Sequence, residues 1–209
     1  MIMNKEIYDY LDLLYGNAKC ELNYNKDYEL LIAVMLSAQT TDKKVNKVTD
    51  ILFKKYQSIE AMSKAPISDI EDIIREIGTF RRKAIYVHEI TKKLFDDGLD
   101  YVPNDRKYIE NLPGVGHKSA NVFLSNIYNE PAIAVDTHVD RVSKRLALAS
   151  RNDDVLKVEK KLMKKIPKDR WSKLHHQLVL FGRYHCKAIN PNCKECQITD
   201  YCKYYKKNK

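Results

Sequence analysis

Between residues 104 and 128 the chain is made to reverse direction. A polar, charged run from Asn104 to Asn111 has helical character, and Leu112-Pro113-Gly114-Val115-Gly116 breaks it. Pro113 has no N–H to continue a helical ladder, and Gly114 and Gly116 can both take positive φ, so the backbone can turn within a few residues. A second helix is expected at once, from His117 to about Tyr128. A glycine-flanked turn that opens onto a helix N-terminus presents backbone N–H groups to an anion. Lys118 falls in the first turn of that helix. There the positive end of the dipole opposes its charge and favours the neutral amine, which is the nucleophilic form. One stretch therefore offers a phosphate grip and a candidate nucleophile side by side. Pro-Gly-x-Gly turns and solvated surface lysines are also common, so the choice rests on the rest of the chain.

The rest reads as helices joined by short connections, an all-α fold. Only six glycines and six prolines in 209 residues leave little room for the tight hairpins of a sandwich or barrel. Residues 5–15 form an amphipathic helix stopped by Gly16. Asp27 caps an apolar segment, Leu30 to Leu36, that belongs in the core. Thr41 or Thr40 caps a helix whose apolar positions are Val45, Val48, Leu52 and Tyr56. Ser58 opens a short helix, and Ser68-Asp69-Ile70-Glu71 reads as a capping box for one running to Gly78. A long helix follows Thr79, with Ile85, Ile90, Leu94 and Phe95 inward and Gly98 at its end. Asp105 caps the helix before the hairpin. Pro131 to Val135 is too short for a helix and is expected to cross the core extended. Thr137, with Asp140 three residues on, can cap a helix through Leu148. Two more helices are expected at about 153–166 and 168–185, and the basic tail Lys203 to Lys209 is expected to fray.

Hydrophobic content of 44% with 31% charged residues fits a soluble globular chain. No apolar run reaches membrane-span length, and Met1 to Tyr10 lacks the apolar core of a secretory signal. The net charge of +9 favours a polyanionic partner. Cys20 stands alone and reads as a small buried apolar residue. Cys186, Cys193, Cys196 and Cys202 form a C-x6-C-x2-C-x5-C pattern. Four thiols in one short loop, in a chain without a secretory signal, point to a metal site in a reducing cytoplasm rather than to a disulfide framework. The set can wrap one tetrahedral zinc or a [4Fe–4S] cluster. The flanking gaps, wider than zinc knuckles, lean towards the cluster. Basic residues surround this loop: Arg183, Lys187, Lys194, Lys203, Lys206 and Lys207. Asp136, before a helix and beside Thr137 and His138, is either a cap or, with the Lys118 amine, a candidate base or electrostatic partner.

Leu112-Pro113-Gly114-Val115-Gly116-His117-Lys118, Val135-Asp136-Thr137-His138, the four-cysteine loop and Leu36-Ser37-Ala38-Gln39-Thr40-Thr41-Asp42 together resemble endonuclease III, a DNA glycosylase family of the helix-hairpin-helix superfamily. The resemblance covers nearly the whole chain. It implies two helical lobes: a six-helix barrel over residues 21–132, with the helix-hairpin-helix at about 105–128, and a second domain from 1–20 with 133–209 that carries a [4Fe–4S] loop at 186–202. It implies a nucleophile at Lys118, an essential carboxylate at Asp136, and cluster ligation by Cys186, Cys193, Cys196 and Cys202. DNA contacts are implied at Gln39, Asp42, Thr79, Leu112, Pro113, Gly114, Val115, Gly116 and His138. Gln39 matches the residue that fills the gap left by an extruded base. The second insertion position, often leucine in the family, is Thr79 here. The implied activity is excision of oxidised pyrimidines from double-stranded DNA, followed by nicking at the abasic site, by a monomeric cytoplasmic protein with no membrane association. A monofunctional mismatch glycosylase and a non-enzymatic DNA-binding module are the alternatives. The first lacks the lysine amine and the strand nick; the second needs only the hairpin.

Overall fold

A computed structural model describes residues 3–208 of the chain. Among these the fold is all-α, with no β-strand. The helices are α1 (Lys5–Tyr15), α2 (Asp27–Leu36), α3 (Asp42–Lys55), α4 (Ile59–Ser63), α5 (Ile67–Ile73) and α6 (Phe80–Asp96). They continue with α7 (Arg106–Glu110), α8 (His117–Ile127), α9 (Thr137–Arg145), α10 (Val155–Lys165), α11 (Trp171–Leu180) and α12 (Lys203–Lys207). A π-helical turn, Phe181–His185, extends α11. Among the described residues no helix is long and apolar enough to cross a membrane. Met1 and Ile2, at the start of the segment read for a secretory signal, and the last tail residue, Lys209, lie outside the described residues.

The chain divides into two compact units, Glu21–Tyr128 and Met1–Cys20 with Asn129–Lys209. In the first unit α2 is the central element: every residue from Tyr28 to Leu36 is buried. α3 lays Val45, Val48 and Leu52 inward, and α8 adds Ala120, Phe123 and Leu124. The Val, Leu and Phe side chains among these contribute roughly 1.5–3 kcal/mol each on burial. On α6 the buried stripe is Lys83, Ala84, Val87, Ile90, Thr91 and Leu94. Ile85 and Phe95, expected inward, are 40% and 41% exposed. Each lies one residue, about 100° of rotation, beyond a stripe member, Ala84 or Leu94.

Two helix starts also differ from expectation. Asp27 is the first residue of α2 and not its cap; its Oδ2 accepts the Val102 N–H at 2.7 Å. Glu29 does the capping work instead, with Oε2 accepting the N–H groups of Asn25 (2.7 Å) and Lys26 (3.2 Å). α5 starts directly after Pro66, which places Ser68 to Glu71 inside the helix rather than in a capping box. The fixed φ of proline suits a helix entry and sets the start earlier than the box would. The helix ends at Ile73, and turns carry the chain to Gly78.

In the other unit, Ile7, Tyr10 and Leu11 of α1 share one core with Ile133, Val135, Val139, Val142, Val158, Leu162, Leu174, Leu178 and Phe181. Residues 132–135 are buried, as expected, and belong to no helix or strand. Asp12 fastens α1 to the α11 region through Arg170 (2.7 Å), Lys173 (2.7 Å) and Gln177 (2.8 Å). α9 stops at Arg145, short of Leu148. Ala147 turns left-handed at φ +59°, and the N–H groups of Leu148 and Ala149 fold back onto Ser143 O at 2.9 and 3.2 Å. The tail is not frayed over Lys203–Lys207: Cys202 Sγ caps α12 by accepting the Tyr205 N–H at 3.4 Å. Cys20 is half-buried rather than buried.

Candidate nucleic-acid interface and catalytic residues

The hairpin is built from the first unit's core outward. Asp105 caps α7, its Oδ1 accepting the N–H groups of Lys107 (2.8 Å) and Tyr108 (3.2 Å). Val115 N–H closes the turn on Leu112 O at 3.1 Å. Gly114 has φ +75°, and a Cβ there would lie 2.5 Å from Tyr86 Cδ2 and 3.1 Å from Met35 Cγ. Gly116 does not adopt the expected positive φ: it is extended at φ −105°, ψ 179°. Leu112 and Val115 are buried pegs, while Gly114 and Gly116 are exposed. What the hairpin presents outward is thus mostly backbone. Among the described residues the N–H groups of Gly114, Gly116 and Lys118 donate to no carbonyl. Those of Gly116 and Lys118 belong to the helix entry, and that of Gly114 to the turn just before it. The two helices are braced by Arg106, which reaches Glu110 Oε1 (3.2 Å) and Asn121 Oδ1 (2.9 Å). His117 Nδ1 lies 3.2 Å from the same Glu110 oxygen. Lys118 is exposed in the first turn of α8.

Gln39 and Thr79 share an unusual backbone. Both are exposed, and both sit in the left-handed region at φ +57°. Thr41 caps α3 and Asp42 opens it, where a carboxylate suits the helix dipole. Close to both turns lies Lys83, buried on the core stripe of α6. The sequence gives it no distinguishing signal beyond a charged residue at an apolar position.

In the other unit Asp136, and not Thr137, caps α9. Its Oδ1 accepts the N–H groups of His138 (2.9 Å) and Val139 (2.8 Å). His138 Nδ1 lies 3.2 Å from Arg141 Nη2, which also donates to Gly182 O at 2.7 Å. Arg141 Nε donates to Cys186 O at 3.2 Å. One turn on, Arg145 donates to Lys187 O (2.7 Å), Ala188 O (3.1 Å) and Cys186 Sγ (3.2 Å), and stacks on Tyr204 at 4.0 Å. At Gly182 a Cβ would lie 2.8 Å from His138 Cβ, so only glycine lets the π-helical turn approach α9 so closely. α9 therefore carries Asp136 at its start and holds the cysteine loop along its side. Sequence reasoning missed both arginines; their i, i+4 spacing on a helix was the available signal. Lys118 and Asp136 belong to different units.

The four cysteines line one cavity, walled otherwise by groups such as Leu146, Phe181, Pro191 and Tyr205. Burial pushes the Cys196 thiol up to about 11 and raises that of Cys193 as well. Thiolates there need a bound cation to hold them charged. Among the described residues no three His, Cys, Asp or Glu side chains are gathered as a single-ion site. Beside the loop, Arg141, Lys144, Arg145, Arg151, Lys203 and Lys207 line a cleft of about 760 Å³. Its carboxylate, Asp140, is already paired with Lys144 at 2.8 Å, which leaves the cleft strongly cationic.

Three comparisons bear on this arrangement. The profile of the HhH-GPD superfamily base excision DNA repair protein family matches residues 32–168. Endonuclease III of Bacillus subtilis (strain 168) is 47% identical over 190 residues, spanning 91% of this chain and 87% of the relative. Endonuclease III of Rickettsia felis is 43% identical over 204 residues, spanning 98% and 95%. The solved structure of a trapped endonuclease III–DNA covalent intermediate superposes with a TM-score of 0.93 at 46% identity, covering 100% of this chain and 99% of that one. Likeness of this depth over the full length, on a fold that carries the hairpin, the capping aspartate and the cysteine loop in place, means that the chain belongs to the endonuclease III family of HhH-GPD base excision DNA repair proteins.

Proposed function

We propose that this protein is a bifunctional DNA glycosylase and abasic-site lyase that removes oxidised pyrimidines from duplex DNA and then nicks the strand. One observation carries the reading. Lys118 is an exposed amine directly after the hairpin's backbone cradle, in a chain similar throughout to an endonuclease III that was trapped in covalent linkage with DNA. The domain division implied by the resemblance, 21–132 against 1–20 with 133–209, belongs to the same reading, as does action as a cytoplasmic monomer.

A damaged base inside a duplex is out of reach, so it is rotated out at a cost of a few kcal/mol, less where the lesion stacks or pairs poorly. The hairpin N–H groups hold a phosphate and fix register without reading sequence. Gln39 and Thr79 fill the vacated space, and Asp42 is a further DNA contact. His138, beside Asp136, completes the DNA contacts. The Lys118 amine attacks C1′ with its nitrogen lone pair. The C1′–base bond breaks, and the base leaves with the electron pair and takes up a proton. Asp136 supplies the negative charge that stabilises the growing positive charge. The Lys118 nitrogen then gives up a proton as the C1′–O4′ bond breaks and O4′ takes a proton up, which opens the sugar and leaves an imine on Lys118. The imine acidifies the C2′ proton, and its removal expels the 3′ phosphate as the C3′–O bond breaks.

Cys186, Cys193, Cys196 and Cys202 fit a [4Fe–4S] cluster: an all-thiol donor set around one apolar cavity, with N–H groups of Arg145 and Tyr205 directed at two of the sulfurs. When bound, such a cluster cross-links the loop and supplies one-electron redox chemistry.

The test is trapping. Borohydride added during turnover of a duplex with one thymine glycol should reduce the imine and join protein to DNA in a single band whose linked peptide contains Lys118. Lys118→Ala and Lys118→Gln should lose both the band and the nick. A trapped peptide holding another lysine, or a Lys118→Ala variant that still nicks, moves the nucleophile elsewhere.

A further inference from the structure

Lys83 is only 5% exposed, and among the described residues its ammonium meets no carboxylate. It donates instead to Leu36 O at 2.9 Å and Ala38 O at 2.7 Å, and lies 3.5 Å from Thr40 Oγ1. Burial lowers its pKa. An unpaired buried charge is costly, and the neighbouring stripe positions Ala84, Val87, Ile90 and Leu94 show that an apolar residue suits this face. The charge therefore needs a compensating role, and the partners indicate it. Leu36 O is a terminal carbonyl of α2, at the negative end of the helix. Ala38 O belongs to the peptide plane whose nitrogen is that of Gln39, so anchoring it restrains the left-handed φ of Gln39. The Lys83 backbone N–H makes the first i→i−4 bond of α6, to Thr79 O at 3.1 Å, so the side chain that grips the Gln39 turn stands on the helix turn that opens at the other left-handed residue. A non-glycine residue holds such a φ only where its surroundings enforce it.

We propose that Lys83 is a positioning residue that locks the Gln39 turn to the Thr79 turn, so that the two exposed side chains enter the duplex as one preformed wedge. The inference rests on the reading that Gln39 and Thr79 fill the gap. Such a wedge matters only where a base must be extruded from a stack. A single-stranded lesion needs the same chemistry at Lys118 but no plug.

The experiment measures single-turnover base release from thymine glycol in duplex and in single-stranded DNA. It compares the wild type, Lys83→Met, Lys83→Arg, Gln39→Ala and the double variant Lys83→Met/Gln39→Ala. Lys83→Met, similar in size but without donors, should slow duplex release by about tenfold or more, because the unlocked wedge leaves the extrusion cost uncovered. The single-stranded rate should stay within about twofold, and Lys83→Arg, which keeps donors, should recover much of the duplex rate. Gln39→Ala should show the same duplex-specific loss, and the double variant no further loss, since both changes disable one device. An unchanged duplex-to-single-strand ratio in Lys83→Met, equal losses on both substrates, or full additivity with Gln39→Ala overturns the proposal. If Gln39→Ala itself leaves the ratio unchanged, the gap-filling reading fails. Amide exchange then tests the lock alone: Lys83→Met should speed exchange selectively at residues 37–41 and 79–81, and unchanged exchange there overturns it. Where Lys83→Met does not fold, Lys83→Gln takes its place, with a partial duplex-specific loss expected and a wild-type ratio counting against the lock.

Discussion

Asp136 uses one carboxylate oxygen as a helix cap and leaves the other for the proposed chemistry. Oδ1 is committed to the N–H groups of His138 and Val139, while Oδ2 takes no hydrogen bond among the described residues. That division predicts how the residue fails. Asp136→Asn keeps an oxygen for the cap, so the thermal midpoint should hold, but it removes the negative charge that the proposed mechanism needs. Base release measured in single turnover should slow by roughly 10²–10³-fold, as for other preorganised electrostatic sites. A variant that releases base at the wild-type rate would leave Asp136 with capping alone. Asp12 is a purely structural counterpart. Partial burial opposes its charge, but hydrogen bonds from Lys173, Arg170 and Gln177 outweigh that and hold its pKa well below the ordinary carboxylate range. A depressed folded-state pKa contributes stability above the unfolded value near 4, and that contribution fades as pH falls from there towards the folded pKa. Asp12→Asn should therefore cost about 1–2 kcal/mol at neutral pH, discounted because the carboxylate is partly exposed. The gap to wild type in denaturant melts should narrow below about pH 4; a gap that stays constant into acid refutes the assignment.

At the scale of elements the hairpin separates two glycines that look alike in sequence. Gly114 combines a positive φ with contact against Tyr86 and Met35, whereas a Cβ at Gly116 would meet nothing within 4 Å. Gly114→Ala should destabilise the fold by about 2–4 kcal/mol through strain and overpacking. Gly116→Ala should cost about 0.5 kcal/mol or less. Equal melting curves for the two variants would falsify this placement of the turn. The Leu-Pro-Gly-Val-Gly spelling made the reversal legible. Which glycine takes the left-handed residue was not, because that depends on α2 and α6 closing over Gly114. The same limit shows on α6 itself. Its helical period was readable, but the phase of the buried stripe was misjudged at Ile85 and Phe95, since apolar residues flank both sides of the true face. The α9 start was misassigned to Thr137 because Asp136 and Thr137 are both good caps, and the backbone geometry at Asp136 settles the choice.

For the molecule as a whole, the cysteine loop makes a prediction independent of activity. Purified protein should be yellow-brown with about four irons per chain. Cys193→Ser should lose that iron, and Cys20→Ala, far outside the loop in sequence, should keep it. A colourless protein holding one zinc and retaining its fold would exclude the cluster. The all-helical class, the hairpin, the lysine after it, the aspartate before α9 and the four-cysteine spacing were all legible in the sequence, because each depends on local chemistry: turn residues, caps, periodicity and ligand spacing. The tertiary structure alone decided the relations between segments remote in the chain. It set Arg141 and Arg145 of α9 against the cysteine loop some forty residues on. It also placed the ammonium of Lys83 under the Gln39 turn. A lysine on an apolar stripe looks in sequence like a misplaced surface residue. Only the packing of α6 against the end of α2 brings the carbonyls of Leu36 and Ala38 within its reach, and long-range proximity of that kind leaves no periodic trace in the order of the residues.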